Sequence, residues 1–258
     1  AGIIPVSKVP TDINLVLPPS ALPIGNDFYA IQRSIVECSY MGCKTIWIVC
    51  DESVAPLLKK ICGDFVLNLA QHERSKFTNF PKENRTTIPI FYVPVSYKHM
   101  NKEGIGVSIM EGVGASFTVS DKISKWVTPY KYYISVPYGV YNCDWKQARE
   151  GVRNSESFYL KSGQSSFRSG DYLGFSFSVR QYKHCLYLFK KMNVKSDYAI
   201  DILFKNDIMI ENSDYMDVEE YFDISSWEGY LKMMSEPPKI LTDWRYCFTA
   251  SFTKDERK

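Results

Sequence analysis

The sequence predicts an α/β domain of three layers, αβα, around a mixed and mostly parallel central sheet. Three observations lead there. Strand-like and helix-like segments alternate through the first half of the 258 residues, the order that builds parallel sheets. The run TIWIVC at 45–50 is apolar and β-branched without alternation, the pattern of a strand buried on both faces. Later, SFYLKS and DYLGFSFSV alternate apolar with small polar residues, as antiparallel or edge strands do.

The elements follow in order. NLVL at 14–17 is a short apolar run and is expected to be the first buried strand. Asn26 or Asp27 is placed to cap the next helix. Phe28, Ile31, Ile35 and Cys38 recur at helical spacing and share one face, with Gln32, Arg33 and Glu37 off it. Gly42 then suits a left-handed helix stop. With the strand at 45–50 this makes a βαβ unit, whose crossover is right-handed by general rule.

Asp51 is expected to cap a helix over 52–62, with Pro56 tolerable near its start and Gly63 at its end. DFVLNL (64–69) and IPIFYVPV (88–95) read as strands around a polar loop, 104–126 as a glycine-containing loop and then a helix, and KYYISVPYG (131–139) as a strand. From about 142 the pattern turns irregular, then gives the two antiparallel segments, a helix in RQYKHCLYLFKKM that carries His184 on its surface, and a strand, turn and helix in DVEEYFDISSWEGYLKMM. A single domain over 1–258 accommodates them.

Composition excludes several classes. The net charge is +2, so nothing favours nucleic acid or an anionic membrane as partner. No run of 18 apolar residues exists, so no ordinary membrane span is expected. AGIIPVSKVPTD lacks the layout of a signal peptide, and the seven cysteines include no C-x-x-C pair. Buried, reduced thiols and a cytoplasmic location are the expectation. The three histidines lie far apart and make no metal-ligand spacing.

Two stretches narrow the field. LPIGNDFYAIQRSIVECSYMGCKTIWIVC resembles the region of the sugar-phosphate nucleotidyltransferases in which a P-I/V-x-G-x-P-L-I segment opens the first long helix. YFDISSWEGYLKMM, 221–234, resembles the later W-x-D-I-D-T-P-E-D-Y-L element of the same family. The likeness runs over residues 12–234 and implies the nucleotide-diphospho-sugar transferase fold. Residues 12–140 would form a nucleotide-binding-like half, 141–236 a sugar- or acceptor-like half, and 237–258 a C-terminal extension.

The resemblance implies a chemistry: attack of a sugar phosphate on the α-phosphorus of a nucleoside triphosphate, with Mg²⁺ neutralising charge. The implied parts are a glycine-rich loop with an arginine, a nearby lysine, and two aspartates on the metal. Here NLVL leads straight into PPSALPIG, which leaves no room for that loop if NLVL is the strand. Pro18, Pro19, Ser20 and Ala21 stand where the lysine would, and prolines lack the N–H that grips phosphate. Pro137, Tyr138 and Gly139 replace the first aspartate; Asp144 follows as a substitute if the loop folds back. Asp223 matches the second metal ligand, and equally suits a helix cap.

Other candidates come with alternatives. In GIGVSIMEGVG the backbone of Gly112 and Gly114, and with it Gly25 of LPIG, would contact a nucleotide; turns that open helices use the same residues. Lys161 and Arg168 would bring two cations to a sugar or phosphate, or lie in a solvated loop. Two readings follow. The first is a divergent sugar-nucleotidyltransferase-like protein that still binds a nucleotide or sugar nucleotide, with Mg²⁺ if active. The second is a non-catalytic interaction or structural protein with a protein partner; compact divergent chains of this kind resemble tailed-phage proteins, which would make it a virion component. The first requires a pocket lined by the 18–25 turn, Gly112 and Asp223; the second requires that crevice to be filled by Pro18, Pro19 and aromatic rings.

Overall fold

The structure, a computed structural model, describes residues 1–7, 12–13, 15, 17–25, 27–71, 87–95, 104–123, 128–191, 204–205, 213–236 and 248. The first strand is β1, Gly2–Pro5, buried throughout. This corrects the expectation of a strand at 14–17: Leu15 and Leu17 lie outside any strand and are 43% and 52% exposed. Gly2–Pro5 is only four residues long and ends in proline, so it gives a weak signal. It folds as a strand because it is inserted between two parallel neighbours and Ile3 and Ile4 lose all solvent contact.

A short 3₁₀ turn, Pro19–Ala21, and a small ribbon of β2 (Pro23–Gly25) and β3 (Phe28–Tyr29) lead into α1, Ala30–Tyr40. Its cap is Tyr29, whose N–H donates to Gln32 Oε1 at 3.1 Å; Asp27 lies outside the helix at φ 53°, and Asn26 lies outside the described residues. Gly42, at φ 80°, ends the helix as expected.

β4 (Ile46–Cys50) is the central parallel strand that the sequence predicted. α2 (Ala55–Cys62) starts three residues later than expected, without a side-chain cap; the carbonyl, not the carboxylate, of Asp51 receives the first N–H groups. β5 (Phe65–Leu67) pairs antiparallel with β6 (Thr87–Pro94), and the loop between them lies outside the described residues.

α3 spans Ile105–Ile123; the helix expected within 104–126 is there, but it begins at Ile105 and takes in glycines that were expected to form a loop before it. β7 (Lys131–Ile134) returns to the far side of β1. β8 (Gly139–Asn142) leaves the main sheet to pair with β13 (Glu219–Asp223). Then come α4 (Trp145–Asn154), β9 (Phe158–Ser162), β10 (Ser165–Ser166), β11 (Phe175–Ser178), α5 (Val179–Lys191), β12 (Asp214–Asp217) and, after β13, α6 (Trp227–Ser235).

The main sheet runs β10-β9-β11-β7-β1-β4-β6-β5, with β12 beside β9. Its centre, β7-β1-β4-β6, is parallel; β11 joins antiparallel to β7 and β9, as the alternating pattern predicted. Successive residues of a strand point to opposite faces. Gly2 faces Cys38 of α1 and Ile3 faces Gly112 of α3, which puts those helices on opposite faces and makes the three layers. No helix among the described residues is long and apolar enough to cross a membrane. Nor does any described cysteine form a disulfide, and Cys38, Cys43, Cys50, Cys62, Cys143 and Cys185 are buried.

Candidate functional site

β1 leads through α1 to β4 on one side, and β7 returns to β1 on the other. The chain order therefore reverses between β1 and β7. In open α/β sheets, ligands sit outside the carboxyl ends of strands at such a reversal. Among the described residues the crevice here is bounded by Val6 and Ser7 after β1, the 3₁₀ turn and β2 from Pro18 to Gly25, and Ser135 to Gly139 after β7; residues 8–11 lie outside them.

Several of the backbone donors described there are engaged within the protein. Val6 N–H and Ser7 N–H both donate to the Val49 carbonyl, at 2.8 and 3.1 Å. The Ser7 carbonyl accepts from Ser108 Oγ at 2.6 Å. In the turn, Ala21 N–H donates to Pro18 and Leu22 N–H to Pro19, while Pro18, Pro19 and Pro23 have no N–H to give. Phosphate cradles depend on N–H groups directed at the ligand, and these point into the protein.

The Tyr138 side chain spans the crevice. It is 2% exposed, its hydroxyl reaches the Val6 carbonyl at 3.4 Å, and its ring meets Tyr172 edge-on at 5.7 Å. Ser20, fully buried, is near enough to the hydroxyl to influence its ionisation. Burial, then Tyr172, push the Tyr138 hydroxyl up, so it is a neutral donor at any physiological pH. The Tyr138 carbonyl also receives Ile224 N–H at 2.8 Å, which ties the crevice to β13.

The residues singled out in the sequence are dispersed. Asp144 caps α4, accepting from the Lys146 and Gln147 N–H groups at 3.0 Å each. Asp223 accepts from Ser225 N–H at 2.8 Å, while Ser226 caps α6. Asp223 is registered with Gly139 and Glu219 with Asn142, so Asp144, just past Asn142, lies at the other end of the β8–β13 ribbon. Among the described residues no three His, Cys, Asp or Glu side chains gather as a metal site. Asp144 and Asp223, set at opposite ends of that ribbon, do not fit as a pair the Mg²⁺ that the fold family implies.

Gly112 lies within α3. A methyl group on it would come 2.7 Å from both Ile3 Cγ2 and Val49 Cγ2, so glycine lets α3 close onto β1 and β4. Gly114, on the same helix, faces the Tyr182 hydroxyl. Gly25 ends β2. Lys161 on β9 lies over the Tyr215 ring at 3.8 Å and 3.7 Å from Asp217 Oδ1; Arg168 is exposed in a short turn.

Sequence reasoning missed a second polar cluster, beneath the crevice. Arg33 and Glu37 were placed off the buried face of α1, yet both are fully buried. Their ion pair measures 2.9 Å. Glu37 Oε1 accepts from the Tyr133 and Tyr141 hydroxyls, and Oε2 from Ser135 Oγ at 2.7 Å. Arg33 also stacks on the Tyr141 ring, with Cζ at 4.1 Å from its centre, and Gly174 N–H donates to the Tyr141 hydroxyl at 3.1 Å. Burial alone would lower the Arg33 guanidinium; Glu37 and the tyrosines outweigh it and hold it charged. The available signal was the i, i+4 pair of opposite charges on a crossover helix, but nothing in that spacing distinguishes a core pair from a surface pair.

No protein-family model and no curated protein sequence matches the chain. Solved structures do. A Bacillus anthracis protein described as a glucose-1-phosphate thymidylyltransferase, in complex with sucrose, superposes with a TM-score of 0.59 at 10% identity, over 93% of this chain and 95% of its own. UDP-glucose pyrophosphorylase complexed with UDP-glucose gives 0.59 at 13%, over 91% and 97%. UTP-bound UGPase from Acinetobacter baumannii gives 0.56 at 12%, over 97% and 98%. The chain thus has the fold of the sugar-phosphate nucleotidyltransferases.

Proposed function

We propose that this chain uses the nucleotidyltransferase fold without the transfer reaction, and that its switch-point crevice is a structural seam closed by Tyr138. The observation that carries the reading is the Tyr138 ring across the β1–β7 reversal, with its hydroxyl on the Val6 carbonyl. The reaction needs cations and donors aimed at the transferring phosphoryl group. Among the described residues this crevice offers a ring, buried hydroxyls and N–H groups bonded within the protein.

The sequence between β1 and β2 agrees. Residues 6–22 contain no glycine and no arginine, so the family's loop is replaced in composition rather than deleted, as it would be if the strand were at 14–17. Pro18, Pro19, Ser20 and Ala21 stand where the family's lysine would be. A protein partner is the role the surface favours. Trp227, Leu231 and Met234, at 44%, 61% and 46% exposure, form an apolar stripe at i, i+4 and i+7 on α6, the kind of face that protein contacts cover.

The alternative keeps a ligand: a nucleotide or sugar nucleotide, as UTP and UDP-glucose are bound in two of the similar structures, with Asp223 toward Mg²⁺ and Lys161 and Arg168 toward phosphate. A pyrophosphate-release assay separates the two. The purified chain is given UTP or dTTP, glucose 1-phosphate and Mg²⁺, with a catalytically active pyrophosphorylase as positive control. We expect release at the protein-free background. Turnover that scales with protein concentration, and that Asp223→Ala abolishes, would overturn the proposal.

A further inference from the structure

Cys38 and Cys43 bracket the end of α1. The Cys43 N–H donates to the Cys38 carbonyl and the Gly42 N–H to the Ser39 carbonyl, both at 3.1 Å, with Gly42 left-handed at φ 80°. This is the Schellman arrangement, in which the second residue past the cap lies against the third-last helical residue, commonly through an apolar contact. Here the contact pair is two cysteines.

Their sulfurs meet at one place. A methyl group on Gly2 would lie 2.7 Å from Cys38 Sγ and 3.3 Å from Cys43 Sγ, so both thiols cover the same point on β1. They also hydrogen-bond each other. Backbones joined this closely fall within the reach of a disulfide, whose Cα atoms are about 4.4–6.8 Å apart.

The two thiols differ. Cys38 has no solvent contact and Cys43 is 6% exposed. Burial, and then donation to Cys43, push the Cys38 thiol up, whereas that same hydrogen bond pulls Cys43 down against the effect of burial. Cys50, by contrast, is pushed up to about 12 by burial. The asymmetry makes Cys43 the nucleophile and Cys38 the resolving thiol.

We propose that Cys38 and Cys43 form a dithiol site that closes to an intrachain disulfide under a two-electron oxidant such as hydrogen peroxide. The Cys43 sulfur attacks one peroxide oxygen and the O–O bond breaks. The departing hydroxide takes the thiol proton and leaves as water, with sulfenic acid on Cys43. The Cys38 sulfur then attacks the Cys43 sulfur, the S–O bond breaks, and the hydroxyl leaves with the Cys38 proton as a second water. Two thiols are oxidised and one peroxide is reduced to two waters.

The folded full chain, treated with peroxide, provides the test. Trypsin cuts after Arg33 and Lys44, so both cysteines fall in one peptide, 34–44. The expected result is that peptide lighter by two hydrogens, with the count of alkylatable thiols lower by two and the other cysteines still alkylated. In Cys38→Ser, which lacks the resolving thiol, dimedone should label Cys43. An unbridged 34–44 peptide after treatment, or oxidation spread over the other cysteines, would overturn the proposal. Circular dichroism on each sample keeps unfolding from being mistaken for either result.

Discussion

Two polar clusters lie close together around β7 and face opposite demands. In the crevice, Tyr138 and Ser20 present neutral hydroxyls and an aromatic ring where the fold's usual chemistry calls for charge. Beneath it, Arg33 and Glu37 bury a full ion pair where that chemistry calls for none. The difference lies in how Glu37 is saturated, while Arg33 keeps Nε and Nη1 without a hydrogen-bond partner and rests on Glu37 and the Tyr141 ring. Glu37 accepts from Tyr133, Tyr141 and Ser135 and pairs with Arg33, so its charge is tolerated in a dry interior. A buried charge so saturated ties α1 to β7 and β8 and is held away from any ligand. Among the described residues, the buried charge on α1 fixes structure, and Val6, Ser7, 18–25 and 135–139 around the crevice carry none.

The largest way to disturb that contrast is to strand one charge. Glu37→Leu leaves Arg33 buried without its partner and three hydroxyls without their acceptor. It should cost about 3–5 kcal/mol in urea unfolding. The double change Arg33→Leu with Glu37→Leu should recover part of this, because the desolvated charge is gone. If Glu37→Leu is neutral, the cluster is not what holds α1.

Gly112 provides a packing test. Gly112→Ala places a methyl 2.7 Å from Ile3 and Val49 and should cost about 1–3 kcal/mol through overpacking. Gly63→Ala meets no atom within 4 Å, yet sits at φ 71°, so strain alone would act there. Thermal melts of the two variants separate crowding from strain.

The pH dependence has a definite sign. Burial, then Glu37, raise the Tyr133 and Tyr141 hydroxyls well above their ordinary value. In the unfolded chain both ionise near pH 10, while in the folded chain they stay protonated. Their contribution is therefore intact below about pH 10 and declines above it. The expected slope is about 1.4 kcal/mol per pH unit for each tyrosine. Stability measured between pH 9 and 11 should fall, and Tyr133→Phe should make the fall shallower. A flat profile would contradict the burial of these hydroxyls.

The smallest effect belongs to the crevice. Tyr138→Phe removes one long hydrogen bond, to Val6 at 3.4 Å, and should cost no more than about 1 kcal/mol. The ring, not the hydroxyl, closes the seam, so Tyr138→Phe should also leave ligand behaviour unchanged.

Much of this was legible in the sequence because the unbroken apolar run of β4 agrees with its burial and the alternation of β11 with its antiparallel pairing. The order of elements alone led to the right fold class. The first strand was not legible. GIIP is no longer than NLVL and ends in proline, and only the two strands that flank it reveal its place. The helix nature of 105–114 was hidden by its glycines, which serve close packing on β1 and β4 rather than a turn. The Arg33–Glu37 cluster was hidden because α1 is covered on that side too, by Tyr133, Ser135 and Tyr141, and a helical wheel assumes one wet face. The dispersal of Asp144 and Asp223 depends on the register of β8 against β13, which spacing along the chain does not encode.

The measurement that tests the central claim most directly is binding calorimetry of the intact chain with UTP and with UDP-glucose, each with and without Mg²⁺, alongside melts of the same samples. A ligand that binds only the folded state must raise the melting temperature. The account predicts no saturable heat and no shift, because Tyr138 occupies the switch point and the neighbouring N–H groups are bonded inward. A saturable, Mg²⁺-dependent heat with a matching rise in melting temperature would contradict it and return the crevice to nucleotide binding.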